Sequence, residues 1–255
     1  MAYRAGRSIA VSSVDCMAVN GRRMALIRYL AYFIGVGLAT WALTALEISS
    51  PGSLELQRFA DASDVLGTSE YSLIEMLQPG ILILCGLLYA WVAQHFPTQR
   101  PIALLFGGTA LAFAIRELDY FLDRHIADNF WQVLVGLVAA VVITYTYRNR
   151  RRFRIAWLRL WPSPGLTLLF AGAIINFMFV QFVGHEPLWQ AILGDQYQRI
   201  VKLAVEEFIE LSAYFLWLIG TIEYGFQARA IASREPEPAV KKRRKARLPK
   251  PKGRF

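Results

Sequence analysis

Apolar residues in this chain come in long blocks separated by short charged stretches, and this pattern decides the class of protein. Six of these blocks are each about 20 residues long, the length of helix that crosses a hydrocarbon core of about 30 Å. They run approximately over residues 25–46, 71–96, 101–122, 129–147, 164–184 and 203–226. The pattern predicts an all-α, polytopic membrane protein with six transmembrane helices. Residues 25–226 form the membrane domain, preceded by a basic segment (1–24) and followed by a basic tail (227–255), both expected to be disordered.

The first block follows Arg22 and Arg23 as a signal peptide would. It is too long for one, however, and ends in Thr44-Ala45-Leu46-Glu47 without a small-residue cleavage site, so it reads as a retained anchor; Met17 and Met24 are alternative starts. The two cysteines, Cys16 and Cys85, fall in the basic segment and inside the second block, which excludes a mutual disulfide.

Charge turns the count of blocks into an orientation. Arg4, Arg7, Arg22 and Arg23 precede the first block, Arg100 joins the second and third, and Arg148, Arg150, Arg151, Arg152, Arg154 and Arg159 join the fourth and fifth. The tail carries a further run from Lys241 to Arg247, then Lys250, Lys252 and Arg254 among prolines. Basic residues beside spans stay on the cytoplasmic side, so both termini are expected inside. The first alternate loop, with Glu47, Glu55, Asp61, Asp64 and Glu70 against Arg58, is expected outside. The location is then the inner (plasma) membrane of a bacterium. The expected partners are the bilayer and, for the tail, anionic lipid headgroups rather than a specific nucleic acid; the oligomeric state stays open. Residues 148–159, with Trp157 and Trp161, read as a helix in the inner interface, and Pro187 opens a short outer interfacial helix bearing Leu188, Trp189, Ile192 and Leu193. Small residues at Ala31, Gly35 and Ala39, and at Gly136 and Ala140, form candidate packing ridges.

Ionisable groups inside spans are costly, by about 2.5–3.5 kcal/mol each on insertion scales, so each is a candidate for function. In the second block Tyr71, Ser72, Glu75 and Gln78 share a helical face. At the end of the third, Arg116, Asp119, Tyr120 and Asp123 share a face, with Glu117 pointing elsewhere and an Arg–carboxylate pair expected. In the sixth, Glu206 and Glu210 lie one turn apart, Ala213, Tyr214 and Trp217 continue their face, and Glu207 points away. In the predicted orientation all three clusters fall in the outer half of the membrane, with Glu210 roughly 10 Å below the boundary. Gln132 and Asn176 are expected in the outer half too.

The candidate proton- or cation-binding residues are therefore Glu75, Glu117, Asp119, Glu206 and Glu210, supported by Gln78, Arg116, Tyr120, Asn176 and Tyr214. Carboxylates crowded at low dielectric do not all ionise together, so one of them carries a proton or they share a divalent cation, with His125 or His185 as further ligands. Glu70, Asp123, Asp128 and Glu207 lie close enough to the interface to be simply hydrated.

Three function classes fit: proton- or cation-coupled transport or binding, a metal-dependent enzyme at the outer leaflet with Arg116 as an anion clamp, and a structural or assembly subunit whose acids pair helices. H-E-x-x-H, Walker and G-x-S-x-G motifs and any His-x-x-x-His pair are missing, which counts against zinc-protease, ATPase, serine-hydrolase and bis-histidine haem chemistry.

Overall fold

The computed structural model describes residues 3–50, 54 and 73–234, with side chains described for 23–50, 54, 73–199 and 201–234. Among the described residues every regular element is helical. Tyr71, Ser72, most of the acidic loop before them and residues 235–255 of the basic tail lie outside these residues, whereas residues 227–234, expected to be disordered, are helical.

Two compact units divide the chain, residues 1–76 and 77–255. The first holds α1 (Tyr3–Ser49) and the first turn of α2 (Leu73–His95). Helix α1 is continuous from Tyr3, so helix extends through the basic segment that precedes the apolar run. Glu47 in its last turns accepts a hydrogen bond from the Leu54 amide (2.7 Å).

The second unit continues through α2, α3 (Arg100–Glu117), α4 (Asp119–His125), α5 (Phe130–Arg148), α6 (Arg150–Leu160), α7 (Pro164–Ile174), a π-helical segment (Ile175–Val180), α8 (Gln181–Val183), α9 (Glu186–Leu193) and α10 (Arg199–Arg234). Helices α3, α7 and α9 each begin with proline in the first turn, where the missing N–H has no intrahelical partner to lose. Ser163 caps α7 by accepting from the Leu166 amide (3.3 Å) and donates its own hydroxyl to Gln227 on α10. Gln227 in turn donates to the Leu160 carbonyl (3.0 Å).

Among the described residues, four helices are long and apolar enough to cross a membrane: residues 23–49, 73–95, 130–148 and 164–183. That composition marks the chain as an integral membrane protein. By the same measure a fifth is counted where α3 and α4 are taken together as one bent span. The expected straight third span is instead bent by 59° at Leu118. The physical cause lies in the local run Arg116-Glu117-Leu118-Asp119. The Asp119 carboxylate accepts from the Tyr120 amide (2.7 Å), competing with the helix backbone at the start of α4. Helix α10 is not among the apolar helices; Glu206, Glu207, Glu210 and Glu223 lower its hydropathy.

Packing in the second unit centres on α10, which lies along α7 and the π-helical segment, while α3 pairs with α5. The α7–α10 crossing is made by glycines. A Cβ on Gly165 would stand 2.8 Å from the Tyr224 nitrogen and 2.9 Å from the Gly220 carbonyl, and one on Gly172 would stand 2.9 Å from the Ala213 carbonyl. Backbones approach this closely only where side chains are absent, which replaces the missing hydrophobic drive between helices in lipid with dispersion. Gly136, in the expected ridge on α5, has nothing within 4 Å among the described residues. The short helices expected at the interfaces are present as α6, where Arg150 lies over the Tyr147 ring at 5.2 Å, and α9, where the Trp189 indole donates to the Val183 carbonyl.

Candidate functional site

A stripe on α10 organises the site. Lys202, Glu206, Glu210, Tyr214, Trp217, Thr221 and Tyr224 recur at steps of four or three, so they wind down one face of the helix. From Glu210 onward these five side chains are all buried. The first part of the stripe is acidic and stands beside Glu117 at the end of α3. Farther along, Thr221 Oγ1 donates to the Trp217 carbonyl (2.8 Å) and lies 3.0 Å from the Tyr89 hydroxyl, and the Tyr224 hydroxyl donates to the Gln99 carbonyl (3.2 Å).

The acids at the head of the stripe differ sharply in what they touch. Glu117 accepts from the Tyr214 hydroxyl at 2.6 Å and from Arg116 Nη1 at 3.0 Å, both through Oε1. Helical arithmetic turns Arg116 inward and Glu117 away. The structure reverses this: the Glu117 side chain is 11% exposed and the Arg116 side chain 44%. Glu117 lies one turn beyond Phe113 and two beyond Ala110, on the face of α3 that meets α10, so the regular helix before the bend already aims it there.

Glu207, also expected to point away, is held by α2. Gln78 Nε2 donates to its Oε2 at 2.7 Å and to its backbone carbonyl at 3.5 Å. Glu206 pairs with Lys202 one turn earlier at 2.8 Å, and its Oε1 packs directly on the Cα of Gly184, where a Cβ would collide with it. Glu210 is only 6% exposed. It makes no direct hydrogen bond or ion pair among the described residues, and its charged neighbours are Glu117, Glu207, Arg116 and Glu206.

Asp119 belongs to the same neighbourhood, close enough to act electrostatically on Arg116 and Glu117. Tyr120 faces its own short helix, where its hydroxyl accepts from Arg124 (2.6 Å). Glu75 belongs to the first unit, half-buried in the first turn of α2. Both candidate histidine ligands are exposed: His125 bonds the Phe121 carbonyl (2.9 Å) and stacks on its ring, and His185 precedes α9. Among the described residues no three His, Cys, Asp or Glu side chains are grouped as metal ligands would be.

Asn176 reaches the site through the π-helical segment of α7. One residue is added per turn there, which changes the face presented to α10, and such single-turn bulges recur at functional sites. The side chain is 4% exposed and lies beside the Tyr214 hydroxyl.

Below the acids lies a cavity of about 250 Å³ among α2, α3, α7 and α10. Phe113, Phe177 and Trp217 wall the end nearer the acids, and Cys85, Tyr89 and Thr221 line the other end. Phe113 meets Trp217 at 5.0 Å and Phe177 at 5.5 Å, edge-on in both cases.

Compared with known protein families, with curated proteins and with solved structures, this chain matches none. Its function is therefore argued from the site alone. Three participants have no place among the sequence candidates: Glu207, Lys202 and Gly184. Lys202 was legible as an i, i+4 partner of Glu206. Gly184 and the inward turn of Glu207 depend on which helix lies opposite, for which the sequence holds no local signal.

Proposed function

We propose that this chain is a six-span protein of a bacterial inner membrane, with both termini in the cytoplasm and a carboxylate site in the outer half of the bilayer that binds a proton or cation for transport or coupling. The arginines of α6 support the orientation, because α6 packs with the far end of α10 while the acids gather at its beginning. Counting α3 with α4 as one bent span and α10 as another brings the total to six.

One observation carries the binding role. Glu210 is buried, has no direct partner among the described residues and has three acids near it, while Arg116 is engaged by Glu117. A carboxylate so placed in a membrane either holds a proton or recruits a cation, because an unneutralised buried charge is too costly. Glu117, Glu206 and Glu207 position the site, held by Arg116 and Tyr214, by Lys202 and by Gln78 respectively.

With no three-ligand group among the described residues, the divalent-metal enzyme reading has no geometric support, and a proton or singly charged cation is preferred. Infrared difference spectroscopy of the purified protein over a pH series tests the proposal. A protonated-carboxyl band that disappears in Glu210→Gln is expected, together with altered binding of sodium. If Glu210→Gln changes neither the band nor sodium binding, the proposal fails.

A further inference from the structure

A dense positive patch lies on α6, which packs with the other end of α10 from the acids. Arg148, Arg150, Arg151, Arg152, Arg154 and Arg159 are all exposed. No aspartate or glutamate occurs between Asp128 and Glu186, so the neighbouring chain offers these guanidiniums no counter-charge. Arg150 lies over the Tyr147 ring, and Arg148, Arg151, Arg152 and Arg154 make no ion pair among the described residues. Like charges gathered this closely repel one another, and a bound anion relieves the repulsion.

The same helix exposes apolar groups that water does not favour. Its buried residues are Ala156 and Leu160, on the side that packs with α3 and α10. On the opposite side Arg151, Arg154, Ile155 and Leu158 follow the i, i+3, i+4, i+7 spacing of a single helical face, and Ile155 and Leu158 are 53% and 65% exposed. Along that face two guanidiniums come first and two branched apolar side chains follow. Trp161, also exposed, extends the apolar end and stacks on Trp157, which stacks in turn on Phe153, with ring centroids 6.5 and 5.9 Å apart. Water alone would leave these apolar groups hydrated, and hydrocarbon alone would strip the guanidiniums of water. The boundary between headgroups and acyl chains suits both.

We infer that this face of α6 is a binding site for an acidic phospholipid, its phosphodiester held by Arg151 and Arg154 and an acyl chain lying over Ile155 and Leu158. A guanidinium presents paired N–H donors in a fork that phosphate oxygens accept, and it stays charged at any physiological pH. Arg148, Arg150 and Arg152 add a field that favours a headgroup of net negative charge over a zwitterionic one, whose cationic end they repel. Free phosphate would satisfy the guanidiniums but leave Ile155, Leu158 and Trp161 uncovered, so the apolar half of the face selects a lipid as the source of the anion. Helical rise separates Arg151 from Leu158 by about 10 Å, room for a headgroup at one end and chain methylenes at the other. Lipid binding at α6 needs no cation at Glu210, so the two sites fail separately.

Native mass spectrometry of the full-length protein in detergent micelles, titrated with phosphatidylglycerol or with phosphatidylcholine of the same acyl chains, tests the assignment. Phosphatidylglycerol is expected to bind about tenfold more tightly or better, and glycerophosphoglycerol, its soluble headgroup, to show no saturable binding over the same concentrations. Each guanidinium beside an anionic headgroup contributes about fivefold, so Arg151→Gln/Arg154→Gln, at exposed positions, should weaken phosphatidylglycerol binding by roughly twentyfold. Ile155→Ser/Leu158→Ser should weaken both lipids. Lys241→Gln/Lys242→Gln removes the same charge from the basic tail and should leave phosphatidylglycerol binding unchanged. Equal affinity for the two lipids, saturable binding of the soluble headgroup, unchanged binding in either α6 variant, or an equal loss in the tail variant would each overturn the assignment.

Discussion

Replacing Gly165 by alanine tests the helix crossing on which the site is built. Glycine inside a helix is ordinarily less favourable than alanine by about 0.5–1 kcal/mol, so propensity alone predicts that Gly165→Ala stabilises the protein. The structure reverses the sign. The added methyl would stand 2.8 Å from the Tyr224 nitrogen and 2.9 Å from the Gly220 carbonyl oxygen. Both are backbone atoms of a helix, with no torsion to rotate away, and comfortable separations for such pairs are about 3.5–4.0 Å. The two helices must therefore part by several tenths of an ångström along their whole contact, and overpacking of this kind costs about 1–3 kcal/mol. Subtracting the propensity gain leaves a net loss of about 1–2 kcal/mol. Gly136→Ala on α5, with nothing within 4 Å among the described residues, keeps only the gain. Unfolding in mixed micelles titrated with a denaturing detergent should separate the two variants by about 2 kcal/mol, with opposite signs relative to wild type. If Gly165→Ala proves as stable as Gly136→Ala, the close crossing and the placement of Asn176 against α10 are wrong.

Three further outcomes follow from named contacts. A double-mutant cycle of Tyr214→Phe and Glu117→Gln should show a coupling of about 1 kcal/mol, toward the upper part of the range for interhelical bonds in membranes because the acceptor is a carboxylate at 2.6 Å; a coupling near zero removes this bond from the site. Ser163→Ala loses both the α7 cap and the tie to Gln227, for about 1 kcal/mol in the same unfolding assay, and Gln227→Ala added to it should cost much less than it does alone. Lys202→Met should change stability by less than about 0.5 kcal/mol, since the Glu206 pair is an i, i+4 contact near the helix start; a larger loss means that Glu206 depends on Lys202 for its neutralisation.

The sequence by itself determined the class of the fold and where most of its helices lie, because block length and apolarity are local and the bilayer admits only helices with satisfied backbones. Its rise arithmetic and loop charges put Glu117, Asp119, Glu206 and Glu210 in the same half of the bilayer as an expectation. Only tertiary structure decided which way each acid turns. Rotation of 100° per residue groups Glu117 with Ala110 and Phe113, and only the packing of that face on α10 shows that Glu117 rather than Arg116 turns inward. The π-helical segment that brings Asn176 beside Tyr214 likewise has no proline or glycine to announce it. The direct hydrogen bonds of Glu117 and Glu207, and the absence of any for Glu210 among the described residues, depend on whether Tyr214, Gln78 or another acid stands opposite. A partner contributed by a distant helix, such as Gln78 for Glu207, leaves no periodic trace in the chain, and the cavity walled by Phe113, Phe177 and Trp217 exists only once α3, α7 and α10 are packed together.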